Sequence, residues 1–183
     1  MPQERRERAL RYRSELDRYL CVLAYWLVMH GLEAEYGIST PPAFSYGDNG
    51  KPYLSEYPGI FFNVSHCKAG VVCAISDYKV GVDIQEVRPF DISVAKRVCT
   101  ALELEQLSQS AEPDRLFCKM WTIKESFFKL HSGGISDSLH ELESSNLFEQ
   151  MKADAVSRWG MDYHICCFGI SDKKEGVVFK LQI

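Results

Sequence analysis

Hydrophobic residues at helical spacing mark two segments of the chain. In the first segment, leucines three and four residues apart predict one long helix from about Arg8 to Met29, with Gly31 just beyond its end. In the second, the pattern predicts a helix from about Asp114 to His131, stopped by Gly133 and Gly134. One stripe of this second helix carries side chains that are not all apolar: Cys118, Thr122, Glu125 and Lys129.

Three short apolar runs between these helices are typical of strands. The turn-rich stretch "STPPAFSYGDNGKPY" leads into "GIFFNVSH", "GVVCAIS" and "VGVDI", which together predict an antiparallel meander. The first and third strands of a meander run in the same direction, so we expect His66 and Asp83 at the same edge of the sheet. Because side chains alternate along a strand, Asp83 and Gln85 share one face, and Ile84 and Glu86 share the other.

The remaining segments complete the fold prediction. Pro89 ends the sheet run, and "TALE" at residues 100–103 predicts a capping box that opens a short helix. Near the end, "YHICCFGI" and "GVVFKLQI" predict two strands joined by the turn "SDKKEG". We therefore expect an α+β fold of two similar helix-plus-antiparallel-sheet halves, residues 1–88 and 89–183, in one compact unit. A cleft between two such halves is a common place for a ligand.

Composition and charge narrow the class of protein. The 183 residues are 46% hydrophobic, enough for a sizeable core, and the net charge of −4 gives no basic field for non-specific binding of nucleic acid. The arginine-rich stretch "ERRERALRYRSELDR" predicts chiefly the solvated face of an N-terminal helix. The N-terminal stretch is charged from residue 4 and lacks the apolar core typical of a signal peptide, no apolar run is as long as a membrane span, and the seven cysteines form no C-x-x-C pair. We expect a soluble cytoplasmic protein with reduced thiols.

The acidic and basic residues of the second helix have two interpretations. Glu125 and Lys129 are compatible with an ordinary surface ion pair, worth about 0.2–0.5 kcal/mol, and also with a helix face that meets a ligand. Trp121 is most simply explained by core packing. Lys124, about 100° around the helix from Glu125, is expected either to buttress Glu125 or to extend past Trp121 to solvent.

Four motifs in order, "GKPY", "FNVSH", "GVDIQ" and "WTIKESFFK", resemble the motif set of the Sfp-type 4'-phosphopantetheinyl transferases. The resemblance runs from roughly residue 5 to residue 140 and implies a pseudo-twofold α+β fold with coenzyme A and Mg²⁺ in the cleft. It implies an enzyme that moves 4'-phosphopantetheine from coenzyme A to a serine of an acyl or peptidyl carrier protein and releases adenosine 3',5'-bisphosphate. We expect a monomer, because one chain then builds the whole cleft.

The resemblance also implies roles for individual residues. Asp83 and Glu125 match the magnesium-binding carboxylates of the family, and Glu125 also matches the candidate base for the carrier serine, directly or through water. Gln85 stands where the family often has a second acid, so its neutral amide completes the metal site or leaves that position to water, with weaker magnesium binding. The residues expected to hold coenzyme A are Lys51, Ser65, His66, Lys129, Arg5 and Arg8.

Other interpretations stay open at this point. His66 is also compatible with a strand-end histidine satisfied by the backbone, and Lys51 with a solvated turn. Gln85 motivates a non-catalytic homologue that binds coenzyme A or a carrier protein. The two carboxylates would also suit a metal-dependent phosphohydrolase, although the further ligand cluster that two-metal hydrolases use is missing. Many relatives carry an earlier segment with a strand, so either a sheet edge is shortened here or the natural start lies elsewhere.

Overall fold

The computed structural model stacks helices and antiparallel sheets in four layers. It describes residues 1–47, 50–131, 139–151, 155–169 and 176–182. Its helices are α1 Gln3–Leu10, α2 Glu15–Tyr36, α3 Ile92–Val98, α4 Ala101–Gln109, α5 Pro113–Leu130 and α6 Ser144–Met151, with a 3-10 helix at Leu139–Glu141. Its strands are β1 Phe44–Tyr46, β2 Pro52–Leu54, β3 Phe61–Cys67, β4 Gly70–Ser76, β5 Gly81–Glu86, β6 Ala155–Trp159, β7 Tyr163–Phe168 and β8 Gly176–Gln182. The predicted α+β class is confirmed.

The start of the N-terminal helix differs from the prediction, because the segment forms two helices. The first, α1, ends at Leu10, and α2 begins at Glu15. Ser14 starts the second helix: its Oγ accepts a hydrogen bond from the backbone N–H of Asp17, at 3.4 Å. This cap supplies a partner for a backbone donor that the first turn of a helix leaves free. The apolar spacing alone did not reveal the break.

The end of α2 was also predicted too early. The helix continues through the buried Gly31 to Tyr36, and it ends at Gly37, whose φ of 66° lies in the left-handed region. A glycine inside a helix costs roughly 0.5–1 kcal/mol relative to alanine. Full burial of Leu32 in the next position outweighs this cost, because burying a leucine side chain contributes about 1.5–3 kcal/mol.

The predicted meander is correct for its first two strands and wrong for the third. There are two three-stranded antiparallel sheets, with orders β3-β4-β8 and β5-β7-β6, and a small β1-β2 pair. β5 pairs with β7 rather than with β4, and β8 pairs with β4 rather than with β7. The turn "SDKKEG" and the stop at Gly133 and Gly134 fall largely or wholly outside the described residues. The strands β1, β2 and β6 and the helices α3 and α6 were not predicted.

The pairing shows a reciprocal exchange of strands. In the first half, α2 is followed by the β3-β4 hairpin and then by β5, which joins the sheet of the second hairpin. In the second half, α5 is followed by the β6-β7 hairpin and then by β8, which joins the sheet of the first. The division into residues 1–88 and 89–183 stays a prediction, and each sheet draws one strand from the other segment.

The core lies between four layers in the order α2, first sheet, second sheet, α5. One face of the first sheet packs against α2, and its other face packs against the second sheet through residues such as Val72 on β4 and Val82 on β5. The helices α5 and α6 cover the outer face of the second sheet. Within the described ranges, no helix has both the length and the hydropathy needed to cross a bilayer.

The two sheets meet along the edge strands β3 and β5. No backbone ladder joins this pair among the described strands, and side chains bridge it instead: Asn63 Oδ1 accepts a hydrogen bond from the backbone N–H of Val82, at 2.8 Å. Such bridges satisfy edge-strand groups that would otherwise stay unpaired. They also connect β3 to β5, and residues of both strands line a cavity at this junction.

Candidate active site

A cavity of about 320 Å³ opens where β3, β5 and α5 meet. His66 and Asp83 both line it, as the sequence pattern predicted, although they reach it from different sheets and not from one meander. Asp83 and Gln85 are on the same face of β5, also as predicted. The cavity is lined by Val64, Ser65, His66, Asp83, Gln85, Trp121, Glu125 and Lys129.

Asp83 is the buried centre of a hydrogen-bond network. Its side chain is nearly inaccessible, with 1% of the residue exposed. Oδ1 accepts from Ser65 Oγ at 2.7 Å and from Lys129 Nζ at 2.5 Å, and Oδ2 accepts from Gln85 Nε2 at 2.9 Å. Lys129 also donates to Ser65 Oγ at 3.0 Å. The half-buried ammonium compensates the charge of a carboxylate that would otherwise be costly to bury.

Glu125 faces the same cavity, but within the described part of the chain its carboxylate is not held by hydrogen bonds as that of Asp83 is. Among the described residues, its Oε1 is buried and has no hydrogen-bond partner. Burial raises the pKa of Glu125, the negative charge of Asp83 raises this pKa further, and the ammonium of Lys129 opposes the change. Buried polar atoms nearly always have a partner, so an unpaired carboxylate oxygen in a cavity points to a proton or a cation as its missing partner.

The helix α5 reaches the cavity because it packs closely on β5. A Cβ atom at Gly81 would lie 2.2 Å from both the backbone nitrogen of Leu130 and the carbonyl oxygen of Ser126. Only a residue without a side chain allows this approach. The contact sets the distance between the carboxylate of Asp83 on the strand and the face of α5 that carries Glu125 and Lys129.

Lys124 occupies neither of the two predicted positions. It does not buttress Glu125 and does not extend past Trp121 to solvent, because only 1% of it is exposed. Its Nζ donates to Glu103 Oε2 at 2.5 Å and to the carbonyl oxygens of Val98 at 2.6 Å and Leu139 at 3.1 Å. Three buried acceptors therefore hold the ammonium on the side of α5 turned away from the cavity.

Lys51 lies outside the cavity walls in this conformation. Its Nζ donates to the carbonyl oxygen of Val80 at 3.3 Å and to that of Lys129, near the C-terminal end of α5, where a cation is favourable. It is therefore not a solvated turn residue. Burial lowers the pKa of Lys51 to about 8, and the charges of Lys79 and Lys129 lower it in the same direction.

Arg5 and Arg8 also lie outside the cavity walls, in an aromatic cluster near the first helices. Arg5 Nη1 donates to the hydroxyl of Tyr46 at 3.1 Å, and its guanidinium lies 5.2 Å from the ring centroid of Phe44. The guanidinium of Arg8 lies 5.1 Å from the ring centroid of Tyr46. Cation–π contacts of this kind stabilise the packing of α1 on the rest of the chain. Of the six residues expected to hold coenzyme A, the structure gathers Ser65, His66 and Lys129 in the cavity.

The cavity suits a divalent cation. In the part of the chain that the structure describes, no three His, Cys, Asp or Glu side chains gather in a metal-binding group. Asp83 and Glu125 nevertheless present two carboxylates to one cavity, and Mg²⁺ in phosphate-binding sites commonly uses one or two carboxylates together with phosphate oxygens and water. The unpaired oxygen of Glu125 fits such an ion. Gln85 turns its amide nitrogen toward Asp83, so its expected place as an oxygen ligand stays a prediction.

A second cavity, of about 440 Å³, was missed by the sequence patterns. It shares Gln85 and Trp121 with the first, and Phe90, Val94 and Phe117 supply apolar walls. Phe117 and Trp121 also pack on each other, with ring centroids 6.0 Å apart, so Trp121 serves both core packing and the cavity wall. The cavity depends on α3 and on the segment before it, which carry no strong periodicity in the sequence.

The part of the chain that matches a known protein family includes β5 and α5, the strand and helix that carry the two carboxylates of the cavity. Residues 79–168 match the model of the 4'-phosphopantetheinyl transferase superfamily, and this segment runs from the start of β5 to the end of β7. It contains Asp83, Gln85, Glu125 and Lys129. The chain belongs to the 4'-phosphopantetheinyl transferase superfamily, as its motifs predicted.

Two of the relatives that the chain resembles are 4'-phosphopantetheinyl transferases of Bacillus species. The chain is 37% identical over 139 residues to the 4'-phosphopantetheinyl transferase psf-1 of Bacillus pumilus, covering 74% of this chain and 60% of that protein. It is 30% identical over 136 residues to the 4'-phosphopantetheinyl transferase Sfp of Bacillus subtilis strain 168, covering 73% and 61%. The alignments thus span about 60% of the length of these relatives.

A solved structure gives a weaker comparison. The holo-[acyl-carrier-protein] synthase of Neisseria meningitidis is 19% identical with a TM-score of 0.38, covering 49% of this chain and 94% of that one.

Proposed function

We propose that the chain transfers 4'-phosphopantetheine from coenzyme A to a serine of an acyl or peptidyl carrier protein, in a reaction that depends on Mg²⁺. The observation that carries the proposal is the unpaired oxygen of Glu125, which shares a cavity with Asp83 and Lys129. An acid with a raised pKa beside an ammonium is suited to proton transfer next to a phosphate group. Family membership supports the same chemistry.

The reaction needs a nucleophile, a proton acceptor and compensation for phosphate charge. The serine oxygen of the carrier attacks the phosphorus that bears the pantetheine arm, and the bond from this phosphorus to the bridging oxygen breaks. Adenosine 3',5'-bisphosphate leaves, and the serine proton passes to Glu125, directly or through water. Lys129 holds the phosphate oxygens, and Ser65 and His66 orient the nucleotide end.

Asp83 and Glu125 are the residues that would hold Mg²⁺, which would supply positive charge to the pyrophosphate oxygens. The ammonium of Lys129 contacts the carboxylate of Asp83. A cation bound at that carboxylate would leave the ammonium of Lys129 free to hold phosphate. The adjoining cavity of about 440 Å³, with apolar walls from Phe90, Val94 and Phe117, would have room for the pantetheine arm. Because one chain supplies all of these walls, a monomer would suffice, and its seven free thiols suit a cytoplasmic setting.

Intact-mass spectrometry of apo carrier proteins tests the proposal. A panel of carriers from fatty-acid, polyketide and peptide synthesis is incubated with the protein, Mg²⁺ and coenzyme A. We expect a mass gain of one phosphopantetheine group on at least one carrier, and no gain when its acceptor serine is replaced by alanine. No gain on any carrier, with coenzyme A binding still measured by calorimetry, would favour the non-catalytic homologue instead.

A further inference from the structure

Five segments of the chain meet at one buried ion pair outside the cavity. Lys124 on α5 contacts Glu103 on α4, the carbonyl oxygen of Val98 at the end of α3, and that of Leu139 in the 3-10 helix. Glu103 in turn accepts from the backbone N–H of Ser144, the first residue of α6, at 2.9 Å. Glu103 and Lys124 are each 1% exposed, so the network is closed to solvent.

Glu103 also completes a capping box, which fixes where it lies. Its Oε2 accepts from the backbone N–H of Thr100 at 2.9 Å, while its own N–H donates to Thr100 Oγ1 at 3.2 Å. Burial disfavours the charged form of Glu103, but hydrogen bonds from Lys124, Ser144 and Thr100 outweigh this effect and lower its pKa. The carboxylate is therefore a fixed anchor and not a mobile side chain.

Lys124 immediately precedes Glu125, the residue that faces the cavity. Within the described residues, Glu125 Oε1 has no side-chain or backbone partner that would orient it. The rotation and register of the backbone of α5 therefore set the point from which this side chain enters the cavity. About 100° around the helix from Glu125, the bonds of Lys124 oppose any rotation of α5, because the ammonium would have to leave three buried acceptors.

We propose that Lys124, anchored by Glu103, is a positioning residue that aims Glu125 into the cavity. The proposal rests on the transfer reaction proposed above, and it assigns to Lys124 no contact with substrate. A displacement of about 1 Å at a reacting group is enough to slow a reaction about a hundredfold. Loss of the anchor should therefore slow the chemical step and leave the residues that bind coenzyme A in place.

The test uses variants that avoid burying an unpaired charge. The double variant Lys124→Met/Glu103→Gln replaces both charged groups with uncharged side chains of similar size, which a core tolerates better than half of an ion pair. Lys119→Met is the matched control, because Lys119 is an exposed lysine on the same helix. Circular dichroism and urea unfolding establish that each variant is folded under the assay conditions. Saturated transfer rate and coenzyme A affinity by calorimetry are then measured separately.

We expect the double variant to bind coenzyme A within about twofold of the original protein and to transfer at least about tenfold more slowly at saturation. A rate within twofold of the original would overturn the positioning role. A parallel loss of affinity and rate, or an equal loss in Lys119→Met, would also overturn it. If the original chain modifies no carrier, the proposed function itself fails, and the role of Lys124 in positioning Glu125 for transfer fails with it. A folded double variant that is slow on a carrier the original modifies supports the proposal.

Discussion

Asp83 and Glu125 face one cavity, but their carboxylates differ in how many hydrogen bonds they accept. Both oxygens of Asp83 have donors, whereas Oε1 of Glu125 has none among the described residues. Replacing Asp83 removes the partner of Lys129 and disturbs the network, so a loss of activity there has two causes. Replacing Glu125 removes no hydrogen bond from Oε1. A loss of activity in a Glu125 variant is therefore easier to assign to the chemical step.

We predict that Glu125→Gln slows transfer at least about a hundredfold, because an amide neither accepts the serine proton nor binds Mg²⁺ strongly. Stability should stay equal or rise slightly, since the variant no longer buries a charge without a partner. Initial rates by mass spectrometry and urea unfolding provide the two measurements. Near-normal transfer by the variant would remove Glu125 from the reaction.

Gln85 provides a second test at the residue scale. We predict that Gln85→Glu lowers the Mg²⁺ concentration for half-maximal transfer, because a further carboxylate beside Asp83 attracts the ion. Without Mg²⁺ the variant should be less stable, since it loses the amide donation to Asp83 and places two negative charges together. Gln109→Glu, an equal change of charge at an exposed position, is the control. An unchanged Mg²⁺ dependence would mean that position 85 does not face the ion.

At the scale of elements, the close approach of α5 to β5 is the contact that builds the site. We predict that Gly81→Ala lowers the free energy of unfolding by about 1–3 kcal/mol, because the new methyl group meets backbone atoms that cannot rotate away. Gly59→Ala is the matched control, since no atom lies within 4 Å of its added Cβ. Urea unfolding measures both variants. An equal effect at the two positions would contradict the packing argument.

The sequence predicted where the helices and strands lie better than it predicted which strands pair with each other. Periodicity located α5 and the two strands of the first hairpin, and a capping box located α4, because these signals are local. Alternation showed which residues of β5 share a face but not which strand lies beside β5, so its pairing with β7 was missed. Similarly, helical spacing placed Glu125 and Lys129 on the cavity face. It could not place Lys124, whose position depends on an acid twenty-one residues earlier in the chain.

At the scale of the whole molecule, a buried histidine couples stability to pH. His164 is fully buried on β7, and burial, with a smaller contribution from Lys119, lowers its pKa from 6.5 to about 4. The folded state therefore binds this proton less readily than the unfolded chain does. The stabilisation is complete above about pH 6.5 and is lost as pH falls through the folded pKa of about 4.

We predict that the free energy of unfolding falls by about 3 kcal/mol across this window on account of His164. His164→Asn should flatten that part of the pH profile, whereas His140→Asn, at an exposed position, should leave it unchanged. Urea unfolding at a series of pH values measures each curve. A wild-type slope that persists in His164→Asn would assign the dependence to other groups.

The exchange of strands between the halves has a consequence for synthesis on the ribosome. The edge of β4 that β8 covers stays open while about 100 further residues are translated, since Ser76 pairs with Gly176. At 5–20 residues per second, this exposure lasts roughly 5–20 seconds. During that time β4 can accept a strand from another nascent chain. The two halves of this small protein must therefore finish folding together, after nearly all of the sequence that forms its sheets has left the ribosome.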